Sequence, residues 1–384
     1  MTKIWTTYKN FIALSTIHRS ELVSIQWLRG IAVMMVFIYH MEDILNLMPG
    51  FESFHSIWQS YGYSAPDLFF VISGFIMCFV TFELKFKPIG WLVRRVLRIY
   101  PIFLIFAALS ISVWLINPEM TMGSGAQDWS SILKFLLLMP QENMPLLFVT
   151  WTLEHEIVFY TLVFVVATLG GKSRSVIIIM GILSIIALLK AALKDTYPVL
   201  DFWDYHLFSL YIIQFFIGAL IFETQKNLSK INGKLLLGAG LALFFVAGII
   251  CEPAPLNEEH ILKVLMFGVS FGLIMIGAIN LEIKKRKEID GYIEYKRRPF
   301  LVQMGDASYS IYLSHPFCFS IVGKITAALS LSGVLTIITV LFGSLLSLIL
   351  GWLVYHCIEK PMMHTSKLIL TRHKKKKEAP LPNT

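Results

Sequence analysis

Arg29 and His40 lie in one apolar run, Ile25 to His40, and chemistry in this chain can start from them. Their eleven-residue spacing is close to three whole turns of α-helix, so the two share a face, roughly 16 Å apart along the axis. A guanidinium carries permanent charge, whereas a neutral imidazole can take a proton and return it. Ionisable groups at membrane depth are costly and mark sites or pathways. The plain alternative for His40, a packed and hydrogen-bonded histidine, is weighed against the clusters that follow it along the chain.

Trp151 through Tyr160 brings Glu154, His155 and Glu156 into the start of another apolar run. A carboxylate that meets an imidazole orients the ring and steadies its charged form, so Glu156 is expected to meet His40. The plain reading is interfacial charge beside the Trp151 anchor. Glu154-His155-Glu156 lacks the spacing of a zinc helix motif, and no metal is expected.

Arg94, Arg95 and Arg98 share a helix face at spacings of three and four, just before Tyr100-Pro101. Planar guanidinium groups bind phosphates bidentately, although such a cluster is also ordinary charge on the inner side of a membrane. Asp67 opens the stretch that runs to Phe75. Within it, Ser73-Gly74 suits close helix packing; a nucleophilic Ser73 is the sharper reading, but no nucleophile-elbow pattern surrounds it. In Gly305 to Pro316, Tyr312 and His315 share a face, and Pro316 is a place where the helix could break and open backbone groups to a cavity.

These residues need elements to hold them, and composition says which kind. The chain is 56% hydrophobic and 15% charged, with a mean hydropathy of +0.68. That composition excludes an ordinary soluble domain and implies an all-α, polytopic membrane protein. Ten transmembrane helices are predicted, at about 25–45, 61–83, 100–116, 150–170, 175–192, 204–223, 235–250, 261–281, 306–326 and 334–357. With the N-terminus placed in the cytoplasm, 27 of the 33 Lys and Arg fall in inner segments. The outer loops then hold only Lys134 and Lys194, so both termini are expected to be cytoplasmic. The net charge of +8 is therefore mainly topology. Lys374 to Lys377 reads as a juxtamembrane tail beside anionic lipid, and no nucleic-acid partner is expected.

The predicted organisation is a cytoplasmic segment over 1–24, one membrane domain over 25–363, and a basic cytoplasmic tail over 364–384. A short apolar piece, Ile132 to Met139, is too short to span and is expected to be re-entrant or to lie at the interface. The four cysteines are scattered and imply neither a disulfide framework nor a metal site. The polar start of the chain does not read as a cleavable signal. No internal repeat points to an inverted-repeat transporter.

Taken in order along about 22–363, these pieces resemble the acyltransferase-3 family of integral membrane acyltransferases. The matching pieces are Arg29 with His40, Asp67 to Phe75, Arg95 with Arg98 before Tyr-Pro, Trp151-Thr-Leu with Glu156 and Tyr160, and Ser308 to Pro316 with Tyr309, Tyr312 and His315. Glu359-Lys-Pro361 completes the set. Thr152 stands where the family more often has Ser, and the hydroxyl is kept.

The resemblance implies transfer of an acyl group, usually acetyl from acetyl-CoA, to a hydroxyl of a bacterial cell-surface glycan or its lipid-linked precursor. The site would then be in the bacterial cytoplasmic (inner) membrane. On this reading His40 is the general base and Glu156 its partner; alternatively His40 carries the acyl group covalently. Arg29, Arg94, Arg95 and Arg98 are expected to bind the acyl-CoA, and Asp67, Ser73, Gly74, Trp151, Tyr309, Tyr312, His315 and Glu359 complete the family's pattern. The competing class is a proton-coupled transporter or flippase of a lipid-linked glycan, which buried Arg, His and Glu would also suit. The arginine cluster separates the two, since a transporter needs no phosphate clamp on one side only.

Overall fold

A computed structural model describes residues 22–46, 51, 59–83, 86–118, 127–197, 206–251, 260–288 and 299–363. Most of the N-terminal segment and the whole basic tail lie outside these residues. Among the described residues the chain is helical, as the apolar runs predicted. In order the helices are α1 (Val23–Asn46), α2 (Gln59–Gly62), α3 (Ala65–Cys78), α4 (Pro88–Ile116), α5 (Trp129–Leu137), α6 (Trp151–Thr168) and α7 (Ser173–Leu193). They continue with α8 (Ile212–Leu228), α9 (Gly233–Ile250), α10 (Ile261–Glu288), α11 (Phe300–Asp306), α12 (Ser308–Ala328) and α13 (Val334–Val354).

Among the described residues, eight helical segments are long and apolar enough to cross a membrane: Val23–Asn46, Ala65–Phe82, Pro88–Ile116, Phe148–Thr168, Ser173–Leu193, Gly233–Ile250, Ile261–Glu288 and Val334–Met363. These are eight of the ten expected spans. The other two are helical but differ from expectation. The apolar part of α8 covers only Ile212–Gln225. Helix α12 has 21 residues, but Ser308, Ser310, Ser314, His315 and Lys324 dilute its hydropathy. Helix α12 continues through Pro316, so the possible break there is not seen, and His315 sits inside a continuous helix. The third span starts earlier than expected, so Arg94, Arg95 and Arg98 lie inside a 29-residue helix.

The chain divides into two compact units. The first comprises Met1–Asp43, Ser53–Lys85 and Thr152–Asp306; the second comprises Ile44–Glu52, Phe86–Trp151 and Ala307–Thr384.

The first unit has a core of Leu28 and Ala32 from α1, Leu68, Val71 and Phe75 from α3, and Phe267, Phe271 and Met275 from α10. Helices α3 and α8 cross at near backbone contact. A Cβ on Gly74 would stand 2.2 Å from the Phe215 carbonyl oxygen, and one on Gly218 would stand 2.1 Å from that of Val71. Only glycine permits this approach, which supports the packing reading of Ser73-Gly74. The N-terminus of α1 is capped from a distance. Glu282 of α10 accepts the Val23 and Ser24 N–H groups at 3.0 and 2.8 Å, and it also pairs with Arg286 one turn on. A carboxylate there satisfies orphan donors and complements the helix dipole, fixing the start of the helix that carries Arg29 and His40.

The second unit packs α12 against α13, with α4 and α5 beside them. Phe103 of α4 meets Phe135 of α5 edge-on at 5.3 Å, and Trp114 meets Trp129 at 5.0 Å. Most of the short apolar piece expected at Ile132–Met139 lies in the nine-residue α5, which starts at Trp129 and ends at Leu137. Asp128 caps it by accepting the Ser131 N–H at 2.7 Å, and Ser131 holds the Asp128 carboxyl below its ordinary range. Ile132 and Phe135 are buried while Trp129, Leu133 and Leu137 are exposed. That amphipathic pattern suits an interfacial helix rather than a re-entrant one.

Candidate active site

Helix α1 runs unbroken from Val23 to Asn46, so Arg29 and His40 do share one helix. Arg29 is partly buried, and its Nη1 lies 3.5 Å from the Gln26 side-chain oxygen. His40 sits in the second-last turn of α1, which ends at Asn46, with its side chain 14% exposed. Its Nδ1 lies 3.1 Å from Asp43 Oδ2. The second oxygen of Asp43 accepts from Gln59 Nε2 of α2 at 3.5 Å, and the Tyr39 ring stands edge-on to the imidazole at 5.0 Å.

Glu156 of α6 makes a different contact from the one expected. Its carboxylate accepts the Ser73 hydroxyl at 2.5 Å, which joins α6 to α3. The carboxylate beside His40 is therefore Asp43, and the Glu156 carboxylate is engaged by Ser73. The two neighbours of Glu156 belong to another cluster. Glu154 is fully buried and meets His206 Nε2 at 2.9 Å. The His206 ring stacks on that of His155, with centroids 3.9 Å apart, and His155 Nε2 lies 3.2 Å from Ser209 Oγ. His206 has a left-handed backbone with φ +64°, a strained conformation for a residue with a side chain.

Asp67 is completely buried at the start of α3. Gln214 Nε2 of α8 donates to one of its oxygens at 2.6 Å, and Lys263 Nζ of α10 stands 3.4 Å from the other. Lys263 also donates to Tyr211 Oη at 3.3 Å and lies over the Tyr63 ring at 4.6 Å. The unit thus encloses a buried cation, a carboxylate and their amide and aromatic partners, as a low dielectric requires of charges that remain ionised.

The remaining sequence-predicted residues lie in the second unit. Arg94 and Arg98 are exposed on α4; Arg95 is half-buried, its Cζ 5.7 Å from the centre of the Trp91 ring. Tyr309 donates to the Ile99 carbonyl and Tyr312 to the Val149 carbonyl, each at 2.8 Å. His315 is buried, with Nδ1 3.3 Å from the Ile311 carbonyl oxygen. Glu359 accepts the Ser310 hydroxyl at 2.5 Å. Trp151 is buried at the head of α6. Tyr309, Tyr312 and Glu359 thus tie α12 to its neighbours within the unit.

Asp43, His206, Gln214 and Lys263 were not singled out from sequence. Asp43 could have been, because a carboxylate three residues after a histidine shares its helix face. Lys263 carried a weaker signal, a lone cation at the head of an apolar span. His206 and Gln214 carried none, because their partners lie far away in the chain. Among the described residues, no group of three or more His, Cys, Asp or Glu side chains could hold a metal ion.

Carboxylate–imidazole and carboxylate–hydroxyl pairs thus lie in a chain whose helices are apolar and long enough to cross a membrane, the setting of an integral membrane protein. The family model described as an acyltransferase domain matches residues 22–356. The chain belongs to this acyltransferase-3 family and is a multi-pass membrane acyltransferase. It is also similar to the exopolysaccharide production protein ExoZ of Rhizobium meliloti (strain 1021), at 26% identity over 324 residues, covering 80% of this chain and 91% of that protein. No solved structure matches.

Proposed function

We propose that this protein transfers an acyl group, acetyl in the first instance, from acyl-CoA to a hydroxyl of a cell-surface polysaccharide or its lipid-linked precursor. The observation that carries this reading is His40, an imidazole within an apolar helix of an acyltransferase, with a carboxylate 3.1 Å from its Nδ1. His40 acts as general base on the acceptor hydroxyl, a role worth on the order of 10²–10⁴-fold in rate. As the O–H proton passes to the imidazole, the hydroxyl oxygen bonds to the acyl carbon. The C–S bond breaks, and the thiolate leaves with the proton that the imidazolium returns. Glu156 is proposed as a second carboxylate of the site, acting with the Ser73 hydroxyl that it holds.

The polysaccharide acceptor is supported by the similarity to a protein of exopolysaccharide production. Acyl-CoA as donor is supported by the chemistry of Arg94, Arg95 and Arg98, three guanidinium groups on one stretch of α4, which suit a polyanionic ligand; Arg29 is proposed to assist. The bacterial inner membrane, with both termini cytoplasmic, is supported by the distribution of Lys and Arg. Family membership favours chemistry over transport of a lipid-linked glycan.

The test is transfer of label from radiolabelled acetyl-CoA into isolated surface glycan, in membranes carrying wild type or His40→Ala. Label with wild type and none with a correctly inserted His40→Ala is the expected result. No label in either, together with no detectable CoA binding, would overturn the donor and favour transport. An acyl-enzyme that survives His40→Ala would exclude His40 as a covalent carrier.

A further inference from the structure

We infer that Asp43 is the positioning residue of His40, a role that sequence alone led us to expect of Glu156. This assignment rests on the reading of His40 as the base. An imidazole works as a base through one nitrogen only if the other keeps its proton, and the partner of the second nitrogen decides which is which. Asp43 Oδ2 lies 3.1 Å from His40 Nδ1, a contact that favours the tautomer in which Nδ1–H donates to the carboxylate and Nε2 is the unprotonated nitrogen, the one that acts as base.

The plain reading of an i, i+3 pair at a helix end is a solvated contact of little consequence. Asp43 is 39% exposed, which is consistent with that reading, but three observations stand against it. The imidazole that Asp43 meets is 14% exposed, much less open than its partner. Gln59, from a different helix, reaches the other oxygen of the same carboxylate at 3.5 Å, so Asp43 is held from both sides. The rival carboxylate, Glu156, is engaged by Ser73. Other groups that could act on this corner are named by their contacts. Tyr39 packs against the imidazole, while Lys263 of α10 and Tyr211 ahead of α8 act electrostatically on Tyr39. Glu42 is the adjacent buried carboxylate.

The role is conformational, so its clearest readout is the tautomer. Full-length protein labelled with ¹⁵N-histidine and reconstituted in lipid nanodiscs is examined at a pH where the imidazole is neutral, with the His40 signals assigned by their loss in His40→Gln. Wild type is expected to show a protonated Nδ1 and a bare Nε2. Asp43→Ala is expected to mix the tautomers, and Asp43→Glu to restore them in part. In acyl transfer, Asp43→Ala is expected to lower kcat by on the order of 10²-fold, the low end of the general-base range, with acceptor KM changed by no more than about threefold.

Should Asp43→Ala fail to insert, Asp43→Glu and Gln59→Leu carry the same measurement, each expected to shift the tautomer balance part of the way. The proposal is overturned if the Nδ1–H tautomer persists unchanged in the inserted Asp43 variants, or if Glu156→Gln mixes the tautomers and Asp43→Ala does not. A wild type that transfers no acyl group while its tautomer still responds to Asp43 would refute the functional reading and leave the Asp43–His40 contact standing.

Discussion

Removing Lys263 isolates a buried charge, and the structure sets the size of the effect. Lys263 Nζ stands 3.4 Å from Asp67 Oδ2; at an effective dielectric of about 20, two unit charges at that distance attract by about 5 kcal/mol. The ring faces of Tyr63 and Tyr211, 4.6 and 5.2 Å from the ammonium, add to that attraction. Desolvation of both ions offsets much of it, so the pair as a whole contributes little net stability. Breaking it does not share that cancellation. Lys263→Met leaves the carboxylate of Asp67 buried with only Gln214 as partner, at an expected cost of about 3–5 kcal/mol. The double variant Lys263→Met with Asp67→Asn removes both charges and is expected to recover most of that loss, giving a coupling of roughly 2 kcal/mol or more. The assay is reversible unfolding in mixed detergent micelles, followed by circular dichroism, across the four proteins of the cycle. A loss below about 1 kcal/mol for Lys263→Met, or strictly additive single losses, would refute a desolvated ion pair at this position.

Three further outcomes are expected. Gly218→Leu forces a side chain where a Cβ already stands 2.1 Å from the Val71 carbonyl oxygen, so α3 and α8 must separate; a loss of about 1–3 kcal/mol or failure to insert is expected, read by the same unfolding assay. Glu282→Ala removes the acceptor of the Val23 and Ser24 N–H groups together with the partner of Arg286; faster hydrogen exchange at the first turn of α1 is expected, with later turns little changed. Arg95→Gln with Arg98→Gln is expected to weaken acyl-CoA binding at least tenfold while single-turnover transfer at saturating donor changes little; equal donor affinity, read by equilibrium binding to reconstituted protein, would remove the arginines from the donor site.

Much of this architecture follows from local pattern. A run such as Val334 to Val354 has too few polar side chains to be anything but a buried or spanning helix, and the paired spacing of Arg29 and His40 needed only the helical repeat to put them on one face. The family motifs were legible for the same reason, being short and contiguous. The two expected spans that are not long and apolar enough to cross a membrane are those in which local pattern is weakest. One is α8, whose apolar part is short; the other is α12, where hydroxyls and His315 interrupt the run.

Which groups from different helices meet was decided by tertiary structure. Glu154 and Glu156 are two residues apart on one helix, yet the first binds His206 and the second binds Ser73. A side chain's partner depends on which helix passes its face, and here that depends on glycine contacts such as Gly74 with Phe215 and Gly218 with Val71. Asp67 and Lys263 illustrate the same point. Each on its own is an unexplained charge in an apolar span, and only the packing of α3 against α10 makes them a pair. Sequence determined that the chain is a helical membrane acyltransferase with His40 on its first span, because composition, periodicity and short motifs are local properties. The packed helices decided that Glu156 meets Ser73 rather than His40, because a hydrogen bond between helices forms only where the fold brings donor and acceptor together.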